Sequence, residues 1–222
     1  MTSSSPAHKP FTTAALLWLL AVSCSQTIPA AQEPPTTFIF RAASDGNVTA
    51  VQKLLNAGAD VNVREHEGET PLMYAAVAGK TEVVKLLLDR GADINAVSLN
   101  NETALARAVG VNQYDAVKLL LDRGADIEKS ISPDGPPLIY AAGGDDLKMV
   151  KLLLERGANV NSRDTDGNSA LVAAAERNVS IETVRFLLKA GADRNVKTAR
   201  GEGPYDIAMR YNNLALARLL KP

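Results

Sequence analysis

The chain has 222 residues, 46% hydrophobic, 22% charged and only 5% aromatic; it is long enough for an extended domain and too apolar for a disordered one. Lys plus Arg is 24 against 25 Asp plus Glu, a net charge of −1, so there is neither the basic excess of a nucleic-acid binder nor an acidic tail. One Cys and two His exclude an intrachain disulfide, a thiolate zinc site and a CxxC redox pair, and the scarcity of aromatics argues against a base-stacking platform.

Residues 1–36 form an address and a tether. A Ser-rich start carrying only His8 and Lys9 leads into the apolar stretch Phe11–Val22. About a dozen apolar residues are too few to span a bilayer core of roughly 30 Å as a helix, but they suit a signal-peptide core. That core runs into Ala21-Val22-Ser23-Cys24, which resembles the bacterial lipoprotein cleavage box. The resemblance implies removal of 1–23, with Cys24 as the mature N-terminus and lipid attachment point, and Ser25 as a signal for outer-membrane sorting. The alternative is an ordinary signal cut after Ser23 or near Ala30. Loss of 1–23 removes Lys9 and no acid, leaving a net charge of −2. Residues 24–36, with Pro34-Pro35, read as a flexible tether.

From residue 37 the chain repeats. Gly-Ala-Asp begins at Gly58, Gly91, Gly124 and Gly191, and Gly-Ala-Asn at Gly157, in steps of 33, 33, 33 and 34. A double Leu precedes each, as in Leu54-Leu55 and Leu120-Leu121, with a Val three residues ahead of it. Thr70-Pro71-Leu72, Thr103-Ala104-Leu105, Pro136-Pro137-Leu138 and Ser169-Ala170-Leu171 recur in register. The pattern resembles the ankyrin repeat and covers 37–222. It implies an all-α ankyrin-repeat solenoid of six stacked helix–turn–helix units, joined by extended turns or short hairpin tips. The units are 37–69, 70–102, 103–135, 136–168, 169–202 and 203–222.

Local chemistry points the same way. Thr70 suits an N-cap with Pro71 in the first helical position. Ala75-Ala76, Ala141-Ala142 and Ala174-Ala175 are small enough for close helix approach. Gly46 and Gly79 suit a left-handed stop to the first helix, and Asn112, Asp145, Asn178 and Asn212 stand in the equivalent region. Asn47, Asp146 and Ser180 suit N-caps of second helices, whose Val and Leu at i, i+3 and i+4 form one apolar stripe. The extra residue of the fifth repeat falls within 176–180, between helices. Lys53 stands where later repeats have Leu86, Leu119, Leu152, Phe186 and Leu219, and Lys221 where earlier ones have Leu55, Leu88, Leu121, Leu154 and Leu188. The first position is expected to face the preceding repeat and the second the following one, so each Lys marks an end of the stack.

Apparent motifs fail on spacing. Gly79-Lys80-Thr81 lacks the first glycine of a phosphate loop, which would be Tyr74. His66-Glu67 has Thr70 where a second zinc-binding His belongs. A calcium loop placed on Gly167 would have Ser162 and Ala173 as its first and twelfth positions. Three Asn-x-Ser/Thr sequons begin at Asn47, Asn101 and Asn178. No cofactor or metal is expected, and no catalytic set is apparent.

The resemblance implies binding through the concave first-helix face and the turn tips. The middle of that face is bare at Gly110-Val111 and Gly143-Gly144, while the tips run from a net −2 over 61–69 to +2 over 194–202. The expected protein contacts are Glu67, Glu69, Glu176, Arg177, Arg200, Arg210 and Tyr211, with Arg177 and Tyr211 as anchors. These features describe a non-enzymatic, monomeric interaction module or scaffold exported to the bacterial periplasm, touching membrane only through a lipid on Cys24. It is expected to bind an unknown protein and no nucleic acid. A secreted effector or toxin-like protein acting on a host protein, and a carboxylate-dependent enzyme, are the competing readings.

Overall fold

A computed structural model describes residues 35–129 and 135–221. The leader 1–23, Cys24 and the tether up to residue 34 lie outside the described residues. Twelve helices are present among the described residues. They are α1 (Pro35–Asp45), α2 (Val48–Asn56), α3 (Pro71–Val77), α4 (Thr81–Asp89), α5 (Ala104–Gly110) and α6 (Tyr114–Asp122), followed by α7 (Pro137–Gly143), α8 (Leu147–Glu155), α9 (Ala170–Glu176), α10 (Ile181–Lys189), α11 (Pro204–Arg210) and α12 (Leu214–Leu220). Six helix pairs follow the six repeats. Pro35 and Thr36, assigned to the tether by composition, are the first residues of α1.

The caps stand where side-chain chemistry placed them. Thr70, Thr103 and Ser169 accept the backbone N–H groups of Met73, Ala106 and Val172. Asn47, Asp146 and Ser180 do the same for Ala50, Met149 and Thr183 at the second helices. Pro136 supplies no such bond, and at Gly203 the direction is reversed, its N–H donating to Asp206 Oδ2 at 2.8 Å. The inter-helix turns of repeats three to six place Asn112, Asp145, Asn178 and Asn212 at φ of 59°, 57°, 53° and 55°. Asn and Asp tolerate this left-handed region better than other L-residues.

The helices form two layers. First helices pack on first helices of the neighbouring repeats, and their paired alanines are buried between them. Second helices bury Val84, Leu87, Val117, Leu120, Val150, Leu153, Val184 and Leu187 completely. Burial of such side chains stabilises by about 1.5–3 kcal/mol each, most of it available only because repeats stack. The ends behave as expected: Lys53 and Lys221 are exposed, and Phe186 faces the preceding repeat, with Lys151 Nζ 5.4 Å from its ring centroid.

The tips are narrow turns, not strands; the one bridge among the described residues joins Arg163 to Ser169. Glu65, Ser98, Asp164 and Thr198 donate their N–H groups to the carbonyls of Glu69, Glu102, Asn168 and Glu202. A polar ladder runs beneath them from repeat to repeat. Asn62 Oδ1 accepts from the Asp93 N–H at 2.8 Å, Asn95 Oδ1 from Asp126 at 2.9 Å, and Asn161 Oδ1 from Asp193 at 2.8 Å. Glu128 replaces Asn in the middle rung and accepts from the Asn159 N–H at 2.8 Å and from the Ser162 hydroxyl.

Candidate functional site

The site follows from one position of the first helix. In the first five repeats it is Arg41, Tyr74, Arg107, Tyr140 and Ala173, four large side chains and then an alanine. One turn later along α7 come Gly143 and its C-cap Gly144. Side-chain volume therefore vanishes between Tyr140 and the fifth repeat, leaving a groove of about 290 Å³. Its floor includes Val109, Ile139 and Ala173, and Glu176 and Arg177 form its far wall. A Cβ on Gly143 would lie 3.6 Å from Ala173 Cβ and Arg177 Cγ, so glycine keeps the groove deep without being sterically compelled there.

Tyr140 is 47% exposed and divides this groove from a second one, of about 230 Å³, lined by Val77, Glu102, Arg107 and Val111. Tyr74, at the equivalent place two repeats earlier, packs at a tilt of 57° against Phe40 with ring centroids 5.3 Å apart. Burial pushes its phenol above the ordinary range, with Glu65 and Glu67 adding to the effect. Arg107 is ion-paired with Glu69 and lies 3.9 Å from Glu102. Burial lowers its pKa, although Glu67 and Glu65 oppose that. Asp146 and Asp164 also line the main groove, but their oxygens are engaged. Asp146 caps α8 and accepts from the Tyr114 hydroxyl; Asp164 accepts from Asp166, Asn168 and the Asn168 amide. Glu176 and Arg177 are exposed at the groove mouth, where a partner can reach them.

The expected contact residues divide into three groups. Glu176 and Arg177 share the groove. Arg210 and Tyr211 lie together at the sixth repeat, the guanidinium 5.4 Å from the Tyr211 ring centroid and 3.3 Å from Glu202. Glu67 and Arg200 are exposed on separate tips. Glu69 is a correction: it is 7% exposed, turned inward against Arg107, and so is a packing residue, not a surface contact. Tyr140, absent from the expected contacts, is a large exposed group on the same face, and Val111, counted with the bare middle of that face, is an exposed apolar side chain there. Tyr140 could have been found by following its row across the repeats, where it is the last bulky member before alanine. No group of three or more His, Cys, Asp or Glu among the described residues is placed to hold a metal ion.

Comparison with known proteins agrees with this architecture. The family described as ankyrin repeats (3 copies) matches residues 39–131 and again 136–222. Two putative ankyrin repeat proteins of Rickettsia felis, RF_p14 and RF_pd14, are each 49% identical over 37 residues, 17% of this chain. The match spans 59% and 56% of those relatives' lengths. Among solved structures, EF0377, an ankyrin repeat protein, superposes with a TM-score of 0.76 at 26% identity, over 83% of this chain and 96% of that one. A chain from the Bd0816 predatory endopeptidase of Bdellovibrio bacteriovorus in complex with immunity protein Bd3460 gives 0.75 at 30% identity, over 82% and 96%.

Proposed function

The chain belongs to the ankyrin-repeat family, a protein-binding fold, and on that footing we propose that it is a non-catalytic interaction module exported to the bacterial envelope. The leader 1–23 directs export, Cys24 carries a lipid, and the array engages a partner protein in the first-helix layer. The groove beside Tyr140 carries this reading. A well-formed recess with an exposed aromatic on one wall and a free Glu–Arg pair on the other has the chemistry of an interface anchor point. A protruding side chain of the partner would fill the space over Gly143, with Tyr140 packing against it and Arg177 pairing with an acid at the rim.

A more specific reading draws on the Bdellovibrio complex, which contains an endopeptidase and its immunity protein. In that reading the array binds a peptidase of the envelope and blocks it. Both are tested with envelope extract passed over the immobilised full chain and over its Tyr140→Ala/Arg177→Ala variant. A specific protein retained by the first and released by the second supports the groove. Identical retention by both removes the site assignment. If the retained protein is a peptidase, its activity on a casein substrate should fall on adding the wild-type chain; undiminished activity refutes the blocking role. For export, globomycin-sensitive membrane fractionation is expected, and free protein in the medium would favour a secreted effector instead.

A further inference from the structure

The second-helix layer has a charge pattern unrelated to the groove. The helices α2, α4, α6, α8, α10 and α12, each with the residue that follows it, hold twelve Lys or Arg against six Asp or Glu. The excess is concentrated in the last three repeats, where α8, α10 and α12 hold seven cations against two anions, Glu155 and Glu182. One cation recurs in repeats two to six, one residue after the core Val or Ala: Lys85, Lys118, Lys151, Arg185 and Arg218. All five are exposed, and none is in an ion pair among the described residues. Where this layer does form ion pairs, they are Arg123–Asp89 and Arg156–Asp122, so the acids Asp89 and Asp122 are already engaged.

The seam between repeats three and four opens on this side. A cleft of about 610 Å³ separates α6 from α8, and Tyr114, Asp115, Lys118, Leu147, Lys148, Lys151, Leu152 and Glu155 line it. Lys148 Nζ sits 4.0 Å from the Tyr114 ring centroid, and the Tyr114 hydroxyl is held by Asp146. Three lysines therefore converge on one recess, partly offset by Asp115 and Glu155. Beyond it, Ile181 and Leu214 open α10 and α12 at the same helical position and are 37% and 52% exposed, beside Arg185 and Arg218.

We propose that the second-helix face of repeats four to six docks on an anionic lipid surface. Headgroup phosphates would enter the lysine-lined cleft, Lys151, Arg185 and Arg218 would lie along the headgroup plane, and Ile181 and Leu214 would dip into it. Charge complementarity selects this occupant. The cations are spread over three helices on long side chains, and each near such a surface strengthens binding by about fivefold. Apolar side chains among basic ones are the composition of an interfacial element. The inference stands apart from the groove and from lipidation, and its failure would leave both untouched.

The test is co-sedimentation of the full chain carrying Cys24→Ala, so that no lipid is attached, with vesicles of phosphatidylcholine alone or mixed with phosphatidylglycerol. The leader carries Lys9 and its own preference for anionic vesicles, but it is common to every variant, so the comparison between variants reads the charge of this face. Binding to the anionic vesicles is expected to be stronger, to weaken with added NaCl, and to drop about tenfold or more in Lys148→Gln/Lys151→Gln/Arg185→Gln/Arg218→Gln. The variant Arg41→Gln/Lys80→Gln/Arg163→Gln/Arg194→Gln removes as many cations from other faces and should bind as the parent does. Circular dichroism establishes that both variants keep their helices. Equal binding to the two vesicle types, or equal losses in the two variants, would overturn the proposal. Retention on polyglutamate resin without preference for the anionic vesicles would overturn it in favour of an acidic protein.

Discussion

Asp145 should be one of the few exposed residues whose replacement loosens the stack. It sits at φ 57° in the turn between α7 and α8 and reaches into the fifth repeat. There it accepts the Ser180 N–H at 3.1 Å, the Ser180 hydroxyl at 2.8 Å and the buried Thr183 hydroxyl at 2.6 Å. Each bond to a charged acceptor at an exposed site, discounted for solvent, contributes about 0.5–1 kcal/mol, or about 2 kcal/mol for the three. A left-handed backbone costs a non-glycine residue without a polar side chain about 1 kcal/mol more. Asp145→Gly should therefore lose about 2 kcal/mol and Asp145→Ala about 3, with Asp145→Asn losing least. With a urea slope of about 2 kcal/mol/M, the glycine variant's midpoint should fall by about 1 M. The effect has a pH signature. Partial burial raises the Asp145 pKa, but the bonds from Thr183 and Ser180 outweigh it and hold the carboxyl below its usual 3.8. A depressed pKa contributes stability that is present above the unfolded value and lost as pH falls through the folded one. The difference between wild type and Asp145→Asn should therefore persist at neutral pH and shrink below about pH 4. Urea titration with hydrogen exchange at the seam between repeats four and five measures both. A glycine variant as stable as wild type would refute the latch, and an alanine variant more stable than glycine would refute the backbone part.

Other variants probe the remaining features. Gly143→Leu should fill the groove and abolish partner capture while changing stability by no more than about 1 kcal/mol, because its Cβ meets ordinary contacts; thermal melting alongside the capture assay separates the two effects. Glu69→Ala should cost about 3 kcal/mol by leaving Arg107 partly buried without its direct partner, with only more distant acids such as Glu102 to oppose it, whereas Glu69→Ala/Arg107→Leu should recover most of it; urea midpoints of the two variants decide this. Tyr114 is pushed up to about 12 by desolvation and then by its bond to Asp146. Absorbance titration at high pH should show a phenolate step near 12 that Tyr114→Phe removes. Because that pKa is raised, its contribution is complete below about pH 10 and lost between 10 and 12.

What the sequence disclosed, and what it withheld, divides by range. Caps and left-handed stops depend on residues within one repeat, and the 33-residue period shows them again and again; the bare groove centre shows as a departure from that period at Gly110 and Gly143-Gly144. Contacts between repeats that are made once, by residues that differ from one repeat to the next, carry no such mark. Glu69 meets Arg107 across 38 positions, so its neighbours in the chain describe a solvated tip while the fold buries it. The extra residue of the fifth repeat falls between helices, where sequence alone shows no contact for it. In the fold it buries Val179 and sets Ser180 where Asp145 can hold it. Tyr140 resembles Tyr74 in local sequence, Pro-Leu-x-Tyr-Ala-Ala in both, yet only Tyr74 has Phe40 beside it.

Charge carries the same lesson to the whole molecule. A net −1 invites the inference that long-range electrostatics matter little, and counting the tips alone suggests a gradient along the stack. The fold sorts the charges differently. The second-helix layer holds +6, so the rest of the chain, including both termini, holds −7. Repeats four to six supply +5 of that +6, while the first helices, each with the residue that follows it, hold only +1, so the acidic excess lies in the tips, turns and termini. An anionic surface would attract the basic end of the second-helix layer and repel the acidic tips, favouring a single orientation before any short-range contact forms. In that orientation the second helices lie against the surface and the groove beside Tyr140 is left turned toward solution.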